Sequence, residues 1–194
     1  MPKVLFDPYR PIYPTPAALI TSISAEGVPN IITLGEVYNL SLRRPTIVGI
    51  SLTKRRYSHE LISQTGEFVV NMPTISILDK VDQCGSVSGR DVDKFAAFGL
   101  TPEPASRVAP PLIAECPINL ECVVLGMEEI GDHDMFKGEV VAAHVDEALI
   151  GEGGIIEVDR LEAFCFMHCF NFGGYWALGP KLAEMRFTRK GTSG

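Results

Sequence analysis

Strand-like segments that follow one another with few helices between them constrain this fold more than any other feature. At least six segments are apolar and rich in β-branched residues, at 17–24, 30–38, 46–52, 67–71, 118–130 and 136–145. The strands of a doubly wound parallel sheet alternate with long helices, and these segments do not. The sequence therefore predicts a mainly β fold, an antiparallel barrel with peripheral helices.

Turn residues and helical spacing complete the secondary-structure prediction. The turn Ala25-Glu26-Gly27 joins the first two strands into a hairpin, and Gly131-Asp132-His133-Asp134 joins the last two. Helical spacing predicts helices over 57–65, ending at Gly66, over 74–83 with Thr74 as N-cap, after an Asp91 N-cap, and over 159–164.

A basic segment, Lys54-Arg55-Arg56-Tyr57-Ser58-His59, lies between the third predicted strand and the first helix. A helix N-terminus exposes unpaired N–H groups and the positive end of the helix dipole, and both favour an anion. The chain as a whole is acidic, with a net charge of −7, so its overall composition does not explain this local cluster of cations. Two interpretations stay open: a site for a phosphate-bearing ligand, with Tyr57 and Ser58 as neutral donors, and a solvated basic turn.

Size and composition narrow the class of protein. A chain of 194 residues suits one domain, with an N-terminal arm over 1–12 and a tail over about 181–194. The acidic balance argues against nucleic acid as a partner, because no broad basic face is evident. No apolar run approaches a membrane-spanning length and no signal peptide is evident, so we expect a cytoplasmic protein without a membrane partner.

The five cysteines show no disulfide framework and indicate free thiols in a reducing compartment. The segment Cys165-Phe166-Met167-His168-Cys169 places two thiols and an imidazole within five residues, which could begin a metal site. A second ligand pair at finger-like spacing is missing. Buried cysteines that act as small hydrophobic residues are the preferred interpretation, and we predict no metal site.

A series of motifs resembles the flavin reductase-like family, and especially its flavoredoxin-type branch. The matching stretches run in order along nearly the whole chain, at 13–16, 27–32, 51–62, 66–73, 88–95 and 131–133. The most specific combination is Ser-Gly-Arg-Asp-x-Asp-Lys-Phe at 88–95 after the Tyr57-Ser58 helix start. The resemblance implies an FMN-binding split β-barrel and a homodimer with the flavin site at the subunit interface.

The resemblance also implies which residues contact FMN. Asn30 and the run from Glu36 to Ser41 would lie along the isoalloxazine ring. The phosphate would be held by Lys54, Arg56, Ser58 and His59. The aromatic tail 170–176, near Phe172 and Tyr175, would cover the ring. The complete implied set is Asn30, Glu36, Val37, Tyr38, Asn39, Leu40, Ser41, Thr53, Lys54, Arg56, Tyr57, Ser58, His59, Lys94 and His133.

Lys94 and His133 are implied as flavin-tuning residues, with Lys94 near the N1–C2 edge, where it would stabilise negative charge on the reduced flavin. Alternatives read from the residues stay open: Lys94 pairs with a carboxylate on a surface helix, and His133 is a solvated turn residue. Arg90 serves either the cofactor or a dimer contact. Glu36 stands where several relatives have Trp, Ser or Thr, and we expect its carboxylate to face solvent.

The implied activity is hydride transfer from NAD(P)H to FMN, with electrons passed to free flavin, a ferric complex or a partner protein. No protein nucleophile is needed, because the cofactor carries this chemistry. The sequence has no Gly-rich dinucleotide fingerprint, which is compatible with a nicotinamide that stacks directly on the flavin. Two alternatives are an FMN-binding electron carrier without efficient NAD(P)H oxidation and an interaction domain that has lost its cofactor.

Overall fold

Strands make up most of the regular structure in this computed structural model, which describes residues 1–6, 12–169 and 172–189. The described strands are Thr15–Pro16 (β1), Ala18–Ile23 (β2), Pro29–Leu34 (β3), Val37–Ser41 (β4), Ile47–Leu52 (β5), Glu67–Met72 (β6), Pro102–Glu103 (β7), Leu112–Ile113 (β8), Ile118–Ile130 (β9), His133–Val145 (β10), Phe164–Cys169 (β11) and Phe172–Ala177 (β12). The α-helices are Tyr57–Thr65 (α1), Leu78–Ser86 (α2) and Lys94–Phe98 (α3).

Seven strands form one antiparallel sheet in the order β3-β2-β6-β9-β10-β5-β4. The predicted antiparallel β architecture with peripheral helices is thus confirmed. The two edge strands, β3 and β4, are joined in sequence through Gly35 and Glu36, and no pairing between them closes the described part of the sheet into a barrel.

β2 is buried on both faces, which explains the apolar run Ala18-Leu19-Ile20 at its start. Ala18 and Ile20 point into an inner core with Phe68 and Phe136. Their neighbour Leu19 points the other way, into an outer core that α2 and α3 complete. Because successive strand residues point to opposite faces, a strand covered on both sides shows no alternation of apolar and polar residues; the fully buried positions that follow, Thr21 and Ser22, are polar.

Helix α1 has the predicted bounds. The helix ends at Gly66, which adopts a left-handed conformation with φ of 70°. The N–H of Gly66 donates to Ile62 O at 2.9 Å. Arg56 occupies the N-cap position and provides no side-chain cap, so the N-terminus of α1 keeps unpaired N–H groups. Among the described residues, no helix is long and apolar enough to cross a membrane.

Several predicted boundaries are wrong. The second strand is interrupted at Gly35 and Glu36, where the chain passes from one edge of the sheet to the other. Asp93, not Asp91, caps α3, since its side chain accepts the Ala96 N–H at 3.2 Å. Thr74 makes no side-chain cap and instead precedes a short 3₁₀ turn.

The segment predicted as a helix over 159–164 holds only a 3₁₀ turn at Val158–Arg160, and Phe164 begins β11. β11 pairs with β1 and with β12, which was predicted only as an aromatic tail. Residues 7–11 of the predicted arm, 190–194 of the predicted tail, and Phe170 and Asn171 lie outside the described residues.

The cysteine cluster lies on β11. All five cysteines are free, and Cys165 is buried on the sheet with its Sγ at 3.5 Å from Trp176 O. His168 stacks on Phe166, with their ring centroids 5.8 Å apart. In the described ranges no group of three or more His, Cys, Asp or Glu side chains could hold a metal ion.

Gly138, in the middle of β10, allows a close approach of the inner core. A Cβ at this position would lie 2.5 Å from Cζ of Phe68, a side chain that is fully buried. We expect Gly138→Ala to lower the free energy of unfolding by about 1–2 kcal/mol, because the aromatic ring has no free volume to enter. Urea unfolding followed by circular dichroism measures the change.

Gly126 on β9 is the matched control, because a Cβ there meets nothing within 4 Å. Gly126→Ala should leave stability unchanged or raise it by about 0.5 kcal/mol, as the lower entropy of the unfolded chain predicts. Equal losses for the two variants would contradict the packing argument.

Candidate functional site

A recess of about 220 Å³ lies at the N-terminus of α1, beneath the segment that leaves α2. β3 supplies its floor, α1 supplies one wall and the chain from α2 to α3 supplies the other. We call it the large recess only by contrast with the smaller one that adjoins it, since other recesses in the structure are larger. Its lining residues are Asn30, Ile32, Arg55, Arg56, Tyr57, Ser58, Cys84, Gly85, Ser86, Val87, Ser88, Gly89, Arg90 and Lys94.

The charged residues that line the large recess are all cationic: Arg55, Arg56, Arg90 and Lys94. Within the described ranges, Arg55 and Arg56 form no ion pair, whereas Arg90 Nη2 contacts Glu60 Oε2 at 2.8 Å. Arg90 also lies over the Tyr57 ring, 4.9 Å from its centroid. An uncapped helix N-terminus that meets unpaired guanidinium groups favours an anion. Arg55 and Arg56 are also exposed, as the solvated-turn interpretation predicts, so both interpretations of the basic segment stay open.

A second, small recess of about 100 Å³ continues the large one, since Ile32, Arg56 and Gly85 line both. It lies where the end of β3 meets the end of β5 and the start of β10. Its other lining residues are Thr33, Leu34, Glu36, Ser51, Leu52, Thr53 and His133. Together the two recesses form a trough along β3, and the strand spans roughly 13 Å from Asn30 to Leu34 at about 3.3 Å per residue.

Two buried oxygens along this trough lack a hydrogen-bond partner among the described residues: Asn30 Oδ1 and Thr53 Oγ1. Asn30 is fixed by a hydrogen bond from its Nδ2 to Ser58 Oγ at 2.7 Å. A Cβ at Gly89 would overlap Asn30 Oδ1, so glycine allows the chain after α2 to approach β3 closely. Ser22 Oγ and Asp134 Oδ1, outside both recesses, also lack a described hydrogen-bond partner, so Asn30 Oδ1 and Thr53 Oγ1 are candidate ligand acceptors only because their residues line the trough.

Lys94 is only 4% exposed and lines the large recess. Its Nζ donates to Ile31 O at 2.8 Å and to Cys84 O at 2.6 Å, and not to a carboxylate. The alternative of a surface ion pair is therefore wrong. Burial lowers the pKa of Lys94 to about 8; the Cys84 thiol opposes this shift and Arg56 adds to it.

Two residues of the predicted phosphate set lie outside the trough. Lys54 is 58% exposed and contacts Glu129 Oε2 at 2.7 Å, with Asp134 Oδ1 at 3.9 Å. His59 Nε2 lies 2.7 Å from Asp134 Oδ2, and its ring packs edge-on against Phe136. Both residues connect α1 and its preceding turn to the β9–β10 hairpin.

Of the run from Glu36 to Ser41, only Glu36 lines one of the two recesses. Glu36, expected at the solvent, lines the small recess together with His133. His133 Nδ1 also lies 2.8 Å from Asp132 Oδ1, so the hairpin turn orients the imidazole. The remaining members form β4 and lie outside both recesses: Tyr38, Asn39 and Leu40 are exposed, whereas Val37 and Ser41 are partly buried.

The two residues of the aromatic tail that were expected over the ring, Phe172 and Tyr175, line different recesses. Tyr175 lines a third recess that shares Gly85 and Ser86 with the large one, and its hydroxyl donates to Asp82 Oδ1 at 3.0 Å. Burial, with this hydrogen bond to Asp82, raises the pKa of Tyr175 to about 12. Phe172 is 83% exposed and lines a different recess with Trp176.

Sequence reasoning missed the chain from Cys84 to Gly89 and did not include Arg55 in the site. Arg55 belonged to the same basic segment as Arg56, so its charge was visible but its direction was not. Cys84, Gly85 and Ser86 lie in the last turn of α2, and the chain leaves the helix at Val87. The position of this chain over β3 depends on contacts with the segment before α1 that are far apart in sequence, such as Arg90 Nη1 to Arg55 O at 3.3 Å.

Comparisons with known proteins identify the family and agree with the fold. The family model described as flavin reductase like domain matches residues 9–157. Flavoredoxin of Desulfovibrio vulgaris (Miyazaki F) has a TM-score of 0.88 and 28% identity, covering 97% of this chain and all of that one (100%). Flavoredoxin from Methanosarcina acetivorans has a TM-score of 0.86 and 29% identity, with 98% of each chain covered.

A more distant structure shares the fold. It is an FMN-binding protein from Thermus thermophilus with bound 1-cyclohex-2-enone, with a TM-score of 0.73 and 24% identity over 93% of this chain and 100% of that one. The family match and the two flavoredoxin structures confirm the resemblance that the sequence motifs indicate.

Proposed function

This chain belongs to the flavin reductase-like family, and we propose that it binds FMN in the trough and uses it as an oxidoreductase. In this proposal the chain takes a hydride from NAD(P)H and passes electrons to free flavin, a ferric complex or a partner protein. The family and the flavoredoxin similarity support the flavin and the redox chemistry. The trough supplies the site.

The observation that carries the proposal is the large recess, with its cationic lining and uncapped helix N-terminus, opening directly into the small recess. FMN is an elongated molecule with a phosphate at one end and a ring at the other. The cationic end of the trough suits the phosphate, because charge-assisted hydrogen bonds are the strongest that these residues can make. The small recess then receives the ring side.

The residues of the trough would divide their work by position. Arg55 and Arg56 would hold the phosphate, with the N–H groups at the start of α1. Asn30 Oδ1 and Thr53 Oγ1 would accept hydrogen bonds from the flavin, which satisfies both buried oxygens. Bound FMN would supply the hydride-accepting and electron-donating chemistry, and the chain would orient it and leave one face open.

Glu36 and His133 would tune the ring from the small recess. A carboxylate near the flavin disfavours negative charge on the reduced ring, so Glu36 would lower the reduction potential. The His133 imidazole would face the ring from the same recess, in the orientation that its contact with Asp132 Oδ1 sets.

We also propose a homodimer with the trough at the subunit interface. β4 is an edge strand with exposed Tyr38 and Leu40, and Leu42 follows it. An exposed apolar edge strand is a common pairing surface, and a partner's β4 would bring the Val37–Ser41 run to the flavin. Sedimentation equilibrium tests this part of the proposal: a monomer at micromolar concentration contradicts it.

A second candidate is an FMN-binding electron carrier without efficient NAD(P)H oxidation, and the similarity to flavoredoxin favours it. Anaerobic stopped-flow mixing of the FMN-loaded protein with NADH and with NADPH separates the candidates. Bleaching of the flavin absorbance within seconds supports the oxidoreductase. A yellow protein that neither nicotinamide reduces supports the carrier, and a protein that does not bind FMN contradicts both.

A further inference from the structure

Lys94 holds its ammonium group in an unusual environment at the edge of the large recess. As the first residue of α3 it is buried, and its Nζ donates to two backbone carbonyls, Ile31 O on β3 and Cys84 O on α2. An ammonium group has three N–H donors, and these two carbonyls account for two of them. The third position is left for the recess that Lys94 lines.

No carboxylate faces this ammonium group in the described part of the chain. The titratable and charged groups facing it are the Cys84 thiol from α2 and Arg56 from the segment before α1, with Arg55 and Arg90 further along the recess. Burial raises the pKa of Cys84 to about 11, so this thiol stays neutral at physiological pH and is not a counter-ion. The charged form of Lys94 thus lacks a counter-ion and lies near guanidinium groups.

A neutral Lys94 keeps its contacts with the two carbonyls. An amine has two N–H groups, which suffice for Ile31 O and Cys84 O, and its lone pair then faces the recess. The site is therefore able to hold either protonation state without breaking a hydrogen bond. An anion in the recess changes the balance, because it supplies the missing counter-charge.

We propose that Lys94 takes up a proton from solvent when the phosphate of FMN enters the large recess, so that FMN binding and proton uptake are linked. This inference rests on the proposed function. It places Lys94 beside the phosphate, whereas the family resemblance implied the N1–C2 edge of the ring. The placement follows from the lining that Lys94 shares with Arg56 and Ser58.

The proposed linkage predicts the direction in which FMN affinity changes with pH, and a pH titration can check it. The pKa of Lys94 in the free protein is about 8, and a bound phosphate raises it. Above this value each FMN molecule must bind together with a proton, so affinity falls as pH rises. The phosphate is a dianion throughout, since its second pKa is about 6. We expect the dissociation constant for FMN to rise on the order of twentyfold between about pH 7.5 and 9.5.

Calorimetry of the wild-type protein tests the inference without any substitution. FMN is titrated into the protein at about pH 9 in two buffers with different ionisation enthalpies, and the difference in heat gives the protons taken up. We expect about one proton per FMN, and about none for riboflavin, which lacks the phosphate. FMN binding without proton uptake, or equal uptake with riboflavin, overturns the inference and leaves the proposed function standing.

Two variants provide a second test. Lys94→Met should bind FMN more weakly at pH 7 and lose the rise of the dissociation constant with pH, whereas Arg56→Gln should weaken binding at every pH and keep that rise. If Lys94→Met keeps the full pH dependence, Lys94 is not the group that takes up the proton. Failure of the wild-type protein to bind FMN at pH 7 overturns the proposed function, and the inference with it.

Discussion

Replacing Arg55 and Arg56 together with glutamine is expected to weaken FMN binding at least a hundredfold. Both residues line the large recess, and neither has an ion-pair partner within the described ranges. Hydrogen bonds to charged groups contribute about 1.5–3 kcal/mol each, and about 2.7 kcal/mol corresponds to a hundredfold change in affinity. Quenching of flavin fluorescence during titration measures the dissociation constant.

Lys54→Gln is the matched control for this experiment. Lys54 precedes Arg55 directly and carries the same charge, but its ammonium group contacts Glu129 on the hairpin. Lys54 lines neither recess and its charge is exposed to screening by solvent, so we expect Lys54→Gln to change FMN affinity less than about threefold. If Lys54→Gln instead weakens binding as much as the double variant does, the phosphate does not lie at the N-terminus of α1 in the large recess.

The contrast between these neighbours shows where the sequence stops being informative. Local patterns predicted α1 correctly, because helical spacing and a terminal glycine act within a few residues of each other. The long hairpin of β9 and β10 was also found, since two extended apolar runs flank a turn at Gly131. These features depend on local propensities, and they account for most of the architecture that could be predicted.

The sequence pattern did not predict in which direction the side chains of the turn before α1 point. Lys54 and Arg55 are equally basic, yet one contacts the hairpin and the other lines the large recess. The break at Gly35 was missed because each half of the second segment is a good strand by itself. Burial of Lys94 was missed because the carbonyls that hold it come from Ile31 on β3 and Cys84 on α2, which lie 63 and 10 residues away in sequence.

The buried carboxylate of Glu121 on β9 carries the largest expected effect on stability. Its side chain is fully buried and accepts hydrogen bonds from the N–H groups of Ser106, Arg107 and Val108, at 2.8, 2.6 and 3.1 Å. Ser106 Oγ donates at 2.7 Å, and His144 Nε2 lies 2.5 Å away. Glu121 therefore ties the loop before β8 to the central sheet.

Glu121→Gln is expected to lower the free energy of unfolding by on the order of 3 kcal/mol at pH 7. The amide presents an NH₂ group to a site built of donors, so one or more buried N–H groups lose their partner. Urea unfolding followed by circular dichroism measures the loss. Glu128→Gln on the same strand is the control, because Glu128 forms an exposed pair with Lys137 and should cost less than about 1 kcal/mol.

Low pH should remove the stabilisation that the Glu121 carboxylate provides. Burial alone would raise the pKa of Glu121, but the hydrogen bonds from Ser106, His144 and Arg107 outweigh it and lower the pKa from 4.5 to about 2. Between these values the unfolded chain binds more protons than the folded one, so stability falls as pH drops from about 4.5 to about 2. The difference in unfolding free energy between wild type and Glu121→Gln should therefore narrow across this range. A difference that stays constant down to about pH 2 would mean that Glu121 stabilises the loop by shape and not by charge.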